Sequence, residues 1–235
     1  MKGIILAGGK GTRLSPLTLV NNKHLLPVYN KPMIMFPLET LKSFGIKDVL
    51  IVSGGNHIGS FADVLGDGSQ HGVNLTYKIQ KEAGGIAQAL GIAKDFAHGE
   101  GIMVILGDNI FGDIKLEINE TKACFFLKDV PNPKRFGVAQ FDQNNNLINI
   151  QEKPSSPPSN YAVTGLYYYP NEVFDIISIL KPSARGELEI TDVNNYFIDK
   201  GCLQKKINCF WSDAGTFESL LHSSNYIKNK EKIDE

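Results

Sequence analysis

Lys2-Gly3-Ile4-Ile5-Leu6-Ala7-Gly8-Gly9-Lys10-Gly11-Thr12-Arg13-Leu14 couples a short apolar run directly to a glycine-rich turn, and this junction decides the fold. An apolar run of this length, bounded by glycines, predicts a strand buried on both faces. In an open α/β sheet, ligands gather outside the carboxyl ends of the strands. Glycines at that edge let backbone N–H groups approach phosphate oxygens without a Cβ in the way. Arg13 adds a permanent charge that can bind bidentately. The spacing is not that of the Walker loop, and the third glycine of a dinucleotide fingerprint is missing, so kinase and dehydrogenase readings weaken.

The same texture continues outward. Strands are expected at residues 2–7, 48–53, 75–80 and 102–106, separated by helices at 32–44, 57–65 and 86–96, with Pro37 bending or delaying the first. This β-α-β order predicts an α/β fold, a three-layer α/β/α Rossmann-like arrangement with a predominantly parallel central sheet. After Asp108 extended segments follow at 123–127, 137–142, 147–152 and 162–169, divided by turn-rich 142–146 and 154–160, so the second half reads as a more β-rich lobe. Helices return at 171–180, 189–200 and 216–228, the last with starting-turn chemistry at Thr216 and Glu218. We read residues 1–235 as a single domain of two halves, 1–110 and 111–235.

The chain has 235 residues, 42% hydrophobic and 21% charged, which suffices for a substantial core. A formal charge of -1, with only a short Lys-rich tail at 228–232, gives no footprint for nucleic acid. No apolar stretch approaches the roughly 18 residues of a membrane span, and a cytoplasmic location is expected. Cys124, Cys202 and Cys209 form no CxxC pair and read as free thiols. His24, His57, His71, His98 and His222 show no ligand spacing and are taken as incidental. Tyr167, Tyr168 and Tyr169 lie on one strand, whose alternation predicts a mixture of core and surface positions.

Gly8-Gly9-x-Gly11-Thr12-Arg13-Leu14, followed by Pro16, Thr18 and Lys23-x-Leu25-Leu26-Pro27-Val28, resembles the sugar nucleotidylyltransferases. The likeness runs through Lys31-Pro32-Met33-Ile34, Leu65-Gly66-Asp67-Gly68-Ser69, Gly84-Gly85-Ile86-Ala87-Gln88-Ala89 and Leu106-Gly107-Asp108-Asn109. It continues in Glu152-Lys153-Pro154, 160–167, 185–193 and Trp211-x-Asp213-x-Gly215-Thr216, and so covers nearly the whole chain. It is strongest to members that transfer a thymidylyl group from dTTP to glucose 1-phosphate, releasing pyrophosphate and dTDP-glucose. The resemblance implies the nucleotide-diphospho-sugar transferase-like fold, with a nucleotide-binding first half and a sugar-phosphate-binding second half. Transfer of UTP, or to another hexose 1-phosphate, is the near alternative. A silent regulatory paralogue that binds nucleotide sugar, and a glycosyltransferase, are the rivals of other classes.

Such a transfer brings two anions together, so cations, metal and backbone donors matter more than a nucleophilic side chain. By resemblance, Arg13 and Lys23 grip the triphosphate, together with Leu6, Ala7, Gly8, Gly9, Gly11 and Thr12. Lys153 and Arg185 resemble the residues that hold the sugar phosphate. Asp108 follows the run 102–106 and Asp213 follows 207–211, so two strand ends could bring two carboxylates to one Mg²⁺, an ion that usually takes one or two. The resemblance assigns Gln80 and the backbone of Gly85 to the base. It assigns Asn109, Gly137, Glu152, Val163 and Trp211 to the sugar pocket. Phe136 departs from the pattern, where the nearest relatives usually carry Tyr, so a hydroxyl contact is absent at that edge. Longer relatives continue into a further helical region for assembly and feedback; a homo-oligomer is expected here, while feedback does not carry over.

Overall fold

The computed structural model describes residues 1–115 and 121–234. In chain order the elements are β1 (Lys2–Leu6), β2 (Pro27–Val28), β3 (Lys31–Pro32), α1 (Met35–Ser43), β4 (Asp48–Gly54), α2 (Ile58–Leu65) and β5 (Asn74–Gln80). There follow α3 (Ile86–Gly91), α4 (Lys94–Ala97), β6 (Ile102–Leu106), β7 (Asn109–Phe111), β8 (Cys124–Asp129), β9 (Gly137–Phe141) and β10 (Leu147–Glu152). The chain closes with β11 (Tyr161–Tyr169), α5 (Val173–Ile179), α6 (Ile190–Asp199), β12 (Leu203–Lys206), β13 (Trp211–Asp213) and α7 (Phe217–Asp234).

Among the described residues one nine-stranded sheet runs β10-β9-β11-β6-β1-β4-β5, with β8 also pairing β11 and β12 pairing β8. β6, β1, β4 and β5 are mutually parallel, as apolar strands linked by helical crossovers require. Antiparallel β11 joins β6 and carries the β-rich second half on its other edge. The two faces bury separate clusters: Ile4, Val104, Tyr167 and Phe197 on one, Ile5, Ile105, Phe126 and Tyr168 on the other. These are the two interlayer cores of an α/β/α sandwich.

Several local readings change. All three tyrosines are buried, Tyr167 at 4%, Tyr168 at 1% and Tyr169 at 0% exposure, because β11 is an interior strand covered on both faces. The expected first helix starts only at Met35, which puts Pro37 in its first turn, where a missing N–H costs little. The helix expected over 86–96 breaks after Gly91 into α3 and α4. At the head of α7, Thr216 and Ser219 cap each other, the Ser219 amide reaching Thr216 Oγ1 at 3.2 Å and the Thr216 amide reaching Ser219 Oγ at 3.0 Å. The cap uses Ser219 rather than the acidic Glu218. Cys124 is buried, while Cys202 and Cys209 are partly exposed, and all three are free. Among the described residues no helix is long and apolar enough to cross a membrane.

Candidate active site

A cleft of about 370 Å³ opens along the carboxyl ends of β1, β5 and β6 and extends over β9–β11. Its walls include Leu6, Gly8, Gly9, Arg13, Lys23, Gln80, Gly85, Asp108, Asn109, Gly137, Glu152, Lys153, Val163, Arg185, Trp211 and Asp213, nearly the whole candidate set. Ala7, Gly11 and Thr12 stand outside the walls. Ala7 is buried and its carbonyl accepts from Ser53 Oγ at 2.9 Å. Gly11, at φ 63°, packs against Thr18 and Lys23, and Thr12 opens the short helical turn that follows. A larger depression of about 970 Å³ between α1, β7 and α7 contains none of the candidate residues.

Both aspartates line this one cleft, by a route the sequence did not suggest. Residues 207–210 are not strand; instead β13 pairs antiparallel with β7 and sets Asp213 opposite Asn109. The amide of Ala214 donates to the Asp108 carbonyl at 2.8 Å. Lys23 Nζ contacts Asp108 Oδ2 at 2.5 Å, and Asn109 Nδ2 donates to Oδ1 at 3.0 Å. Burial alone would raise the Asp108 carboxyl, but the Lys23 charge and these hydrogen bonds outweigh it and hold it well below the usual carboxylate range. Burial pushes the Asp213 carboxyl up; the Arg135 charge opposes that and the neighbouring Asp108 charge reinforces it. A cation between them would relieve this repulsion, and two carboxylates with room for phosphate and water suit a hard divalent ion. Asp108 and Asp213 would hold it.

Arg135 escaped the sequence reading. Its Nη2 binds both oxygens of Asp213, at 3.2 and 3.0 Å, and its guanidinium lies over the Phe136 ring. It follows the proline-rich 131–133 turn, where an arginine reads as ordinary surface charge. On the far wall Glu152 is enclosed by Lys153 Nζ at 3.2 Å, Thr191 Oγ1 at 2.7 Å and Arg185 Nη2 at 3.9 Å. Arg185 is itself held by Glu189 at 2.8 Å. Asn109 forms the hub beneath: its Oδ1 accepts from Trp211 Nε1 at 2.7 Å and from the Gly165 amide at 2.9 Å. Phe136 packs on Trp211, with ring centroids 5.1 Å apart, so two aromatic rings form this edge of the pocket beside the Arg135 guanidinium.

His24, taken as incidental, lies under the cleft floor. Its amide and its Nδ1 both point at Asn22 Oδ1, at 2.9 and 2.8 Å, so Nδ1–H donates. Burial, with Lys23 adding, lowers this imidazole from its ordinary value to about 3. The unfolded chain therefore binds a proton at about pH 6.5 that the folded chain refuses, so stability falls as pH drops below that value. The effect reaches about 2 kcal/mol by pH 5, roughly 4–8 °C in Tm for a chain of this size. Calorimetry at pH 7 and pH 5 should show this acid loss shrinking in His24→Gln; identical pH dependence in both proteins would remove the assignment. Loss of the Asp108–Lys23 pair on protonation acts only below about pH 4.

A parallel sheet whose strand ends present a glycine loop beside paired carboxylates and fixed cations is built to receive phosphorylated ligands. A profile of the nucleotidyl transferase family matches residues 2–230, and the chain belongs to that family. Glucose-1-phosphate thymidylyltransferase of Xanthomonas campestris pv. campestris is 47% identical over 237 residues, 97% of this chain and 80% of that protein. The enzyme of the same name from Neisseria meningitidis is 43% identical, covering 99% of this chain and 84% of that protein. A crystal structure of a Bacillus anthracis protein described under that enzyme name, bound to sucrose, superposes with a TM-score of 0.89 at 47% identity, covering 96% of this chain and 94% of the other. A UDP-glucose pyrophosphorylase complexed with UDP-glucose shares the fold, with a TM-score of 0.85 at 23% identity.

Proposed function

We propose that this chain transfers a thymidylyl group from dTTP to the phosphate of α-D-glucose 1-phosphate, giving dTDP-glucose and pyrophosphate. The observation that carries the reading is that Asp108 and Asp213 line one cleft, between Gln80 on one side and Glu152, Lys153 and Arg185 on the other. Relatives at 43–47% identity over nearly the whole chain carry the corresponding enzyme name. A phosphate oxygen of the sugar attacks the α-phosphorus; that P–O bond forms as the bond to pyrophosphate breaks. The attacking phosphate is already ionised at neutral pH, so no general base is needed. Arg13 and Lys23 take the charge that collects on departing pyrophosphate, while Lys153 and Arg185 hold the incoming phosphate in line. Asp108 and Asp213 would hold Mg²⁺, whose charge would help neutralise the phosphates. Residues 1–110 thus serve the nucleotide and 111–235 the sugar phosphate.

Thymine and uracil offer Gln80 the same edge, so UTP is the near competitor. Pyrophosphate release measured across dTTP, UTP, dCTP, ATP and GTP against glucose, galactose and glucosamine 1-phosphates tests the proposal. The pair dTTP and glucose 1-phosphate should give the largest kcat/KM; a preference for a purine triphosphate, or no turnover at all, would overturn it.

A further inference from the structure

Gln80 closes β5 and is buried to 9% exposure, and its amide nitrogen has two acceptors in reach. One is Gln88 Oε1 at 2.6 Å, the other the Gly85 carbonyl at 3.4 Å. A backbone carbonyl cannot exchange donor for acceptor, so the Gly85 contact fixes which end of the Gln80 amide is nitrogen. Gln88 must then present its oxygen. With both N–H groups committed, only Gln80 Oε1 remains for a ligand. It sits over the phosphate-loop glycine, 2.8 Å from where a Cβ on Gly8 would stand. Gly8, Gln80 and Gly85 line the cleft, whereas Gln88 lies behind them. Gln88 reaches its place because residue 84 is glycine, since a Cβ there would stand 2.7 Å from Gln88 Cδ.

We propose that Gln88 is a positioning residue for base selection: it locks the Gln80 amide with its oxygen toward the cleft, so the site takes pyrimidines with a donor at N3 and rejects those with an acceptor there. This rests on the pyrimidine triphosphate reading above. Thymine and uracil carry N3–H, which Gln80 Oε1 can accept. Cytosine places a lone pair at N3, and two acceptors facing each other in a buried site leave both unpaired. A free glutamine would evade this by rotating its amide and donating to N3. Gln88 forbids the rotation, and the discrimination it protects is roughly 10- to 100-fold.

The test compares kcat/KM for dTTP and dCTP at saturating glucose 1-phosphate, with calorimetric binding of each nucleotide in the absence of the sugar. Gln88→Met, which fills the space without an acceptor, should lower the dTTP:dCTP ratio roughly 10-fold. The change should fall on KM and on the binding constants, leaving kcat for dTTP within about twofold. Gln88→Glu retains an acceptor oxygen and should keep the wild-type ratio. Gln88→Lys puts a donor in its place and should lower the ratio at least as far as Met. Wild-type ratios in both the Met and Lys variants, or an equal fall in the Glu variant, would overturn the assignment while leaving the pyrimidine reading intact. Failure of the wild-type protein to use dTTP or UTP would instead overturn that reading, and the assignment with it.

Discussion

Asp108→Asn should lower metal-dependent pyrophosphate release by about a thousandfold, the scale on which loss of one preorganised electrostatic group acts in a dry site. The substitution keeps the shape and one oxygen acceptor but removes a charge from between Lys23 and Asp213. Lys23 loses its counter-ion, so the unfolding midpoint should drop as well, since breaking a largely buried pair leaves an uncompensated ammonium. Asp213→Asn should cost a comparable factor in turnover without a drop in midpoint, because burial and the Asp108 charge already disfavour its carboxylate and its partner Arg135 is 40% exposed. Far-UV circular dichroism should stay native in both. Near-normal turnover in both variants would remove the two carboxylates from the reaction.

Gly165→Ala is expected to lower activity and stability together by a purely steric route. Gly165 lies in the irregular stretch of β11 between Val163 and Tyr167, where pairing with β8 shifts register. A Cβ there would stand 2.7 Å from Asn109 Cγ, Asn109 Oδ1 and Leu106 Cγ, closer than packed atoms tolerate. Asn109 cannot yield without releasing Trp211, the Gly165 amide and Asp108 together. Overpacking of this kind costs about 2 kcal/mol, roughly 4–8 °C in Tm at this chain length. Because Asn109 holds both Asp108 and Trp211 on the cleft wall, kcat should fall with the midpoint, by more than 10-fold on the usual scale for a misplaced group in a site. A variant with full activity and an unchanged midpoint would show that the hub tolerates displacement.

The parallel half of the sheet was legible because each strand there is a short apolar run followed by a helical period, and Lys2–Leu6 with its glycine turn set the direction of the cleft. The candidate residues on the walls were legible through motif, since the glycine-rich loop after β1 and the carboxylate after β6 lie next to strands that declare themselves. The pairing of β7 with β13 was not, because two three-residue strands joined across a hundred positions carry no local periodicity. Arg135 was invisible for a related reason: its meaning comes from Asp213, which only the fold brings near. The Tyr167–Tyr169 run misled because alternation presumes a strand with one wet face, and β11 has none. His24 carried no signal of its burial beyond a hydrophobic neighbourhood at Leu25 and Leu26.

That short β7–β13 ladder bears on the order of assembly. β1, β4, β5 and β6 need nothing beyond residue 106 to pair, so this parallel half of the sheet can consolidate while synthesis proceeds. Asp213 takes its place opposite Asn109 only after the intervening hundred residues have left the ribosome and a long loop has closed. A nascent chain can therefore form the glycine loop at the end of β1 well before Asp213 reaches its place, and the cleft is completed only once β13 has joined β7.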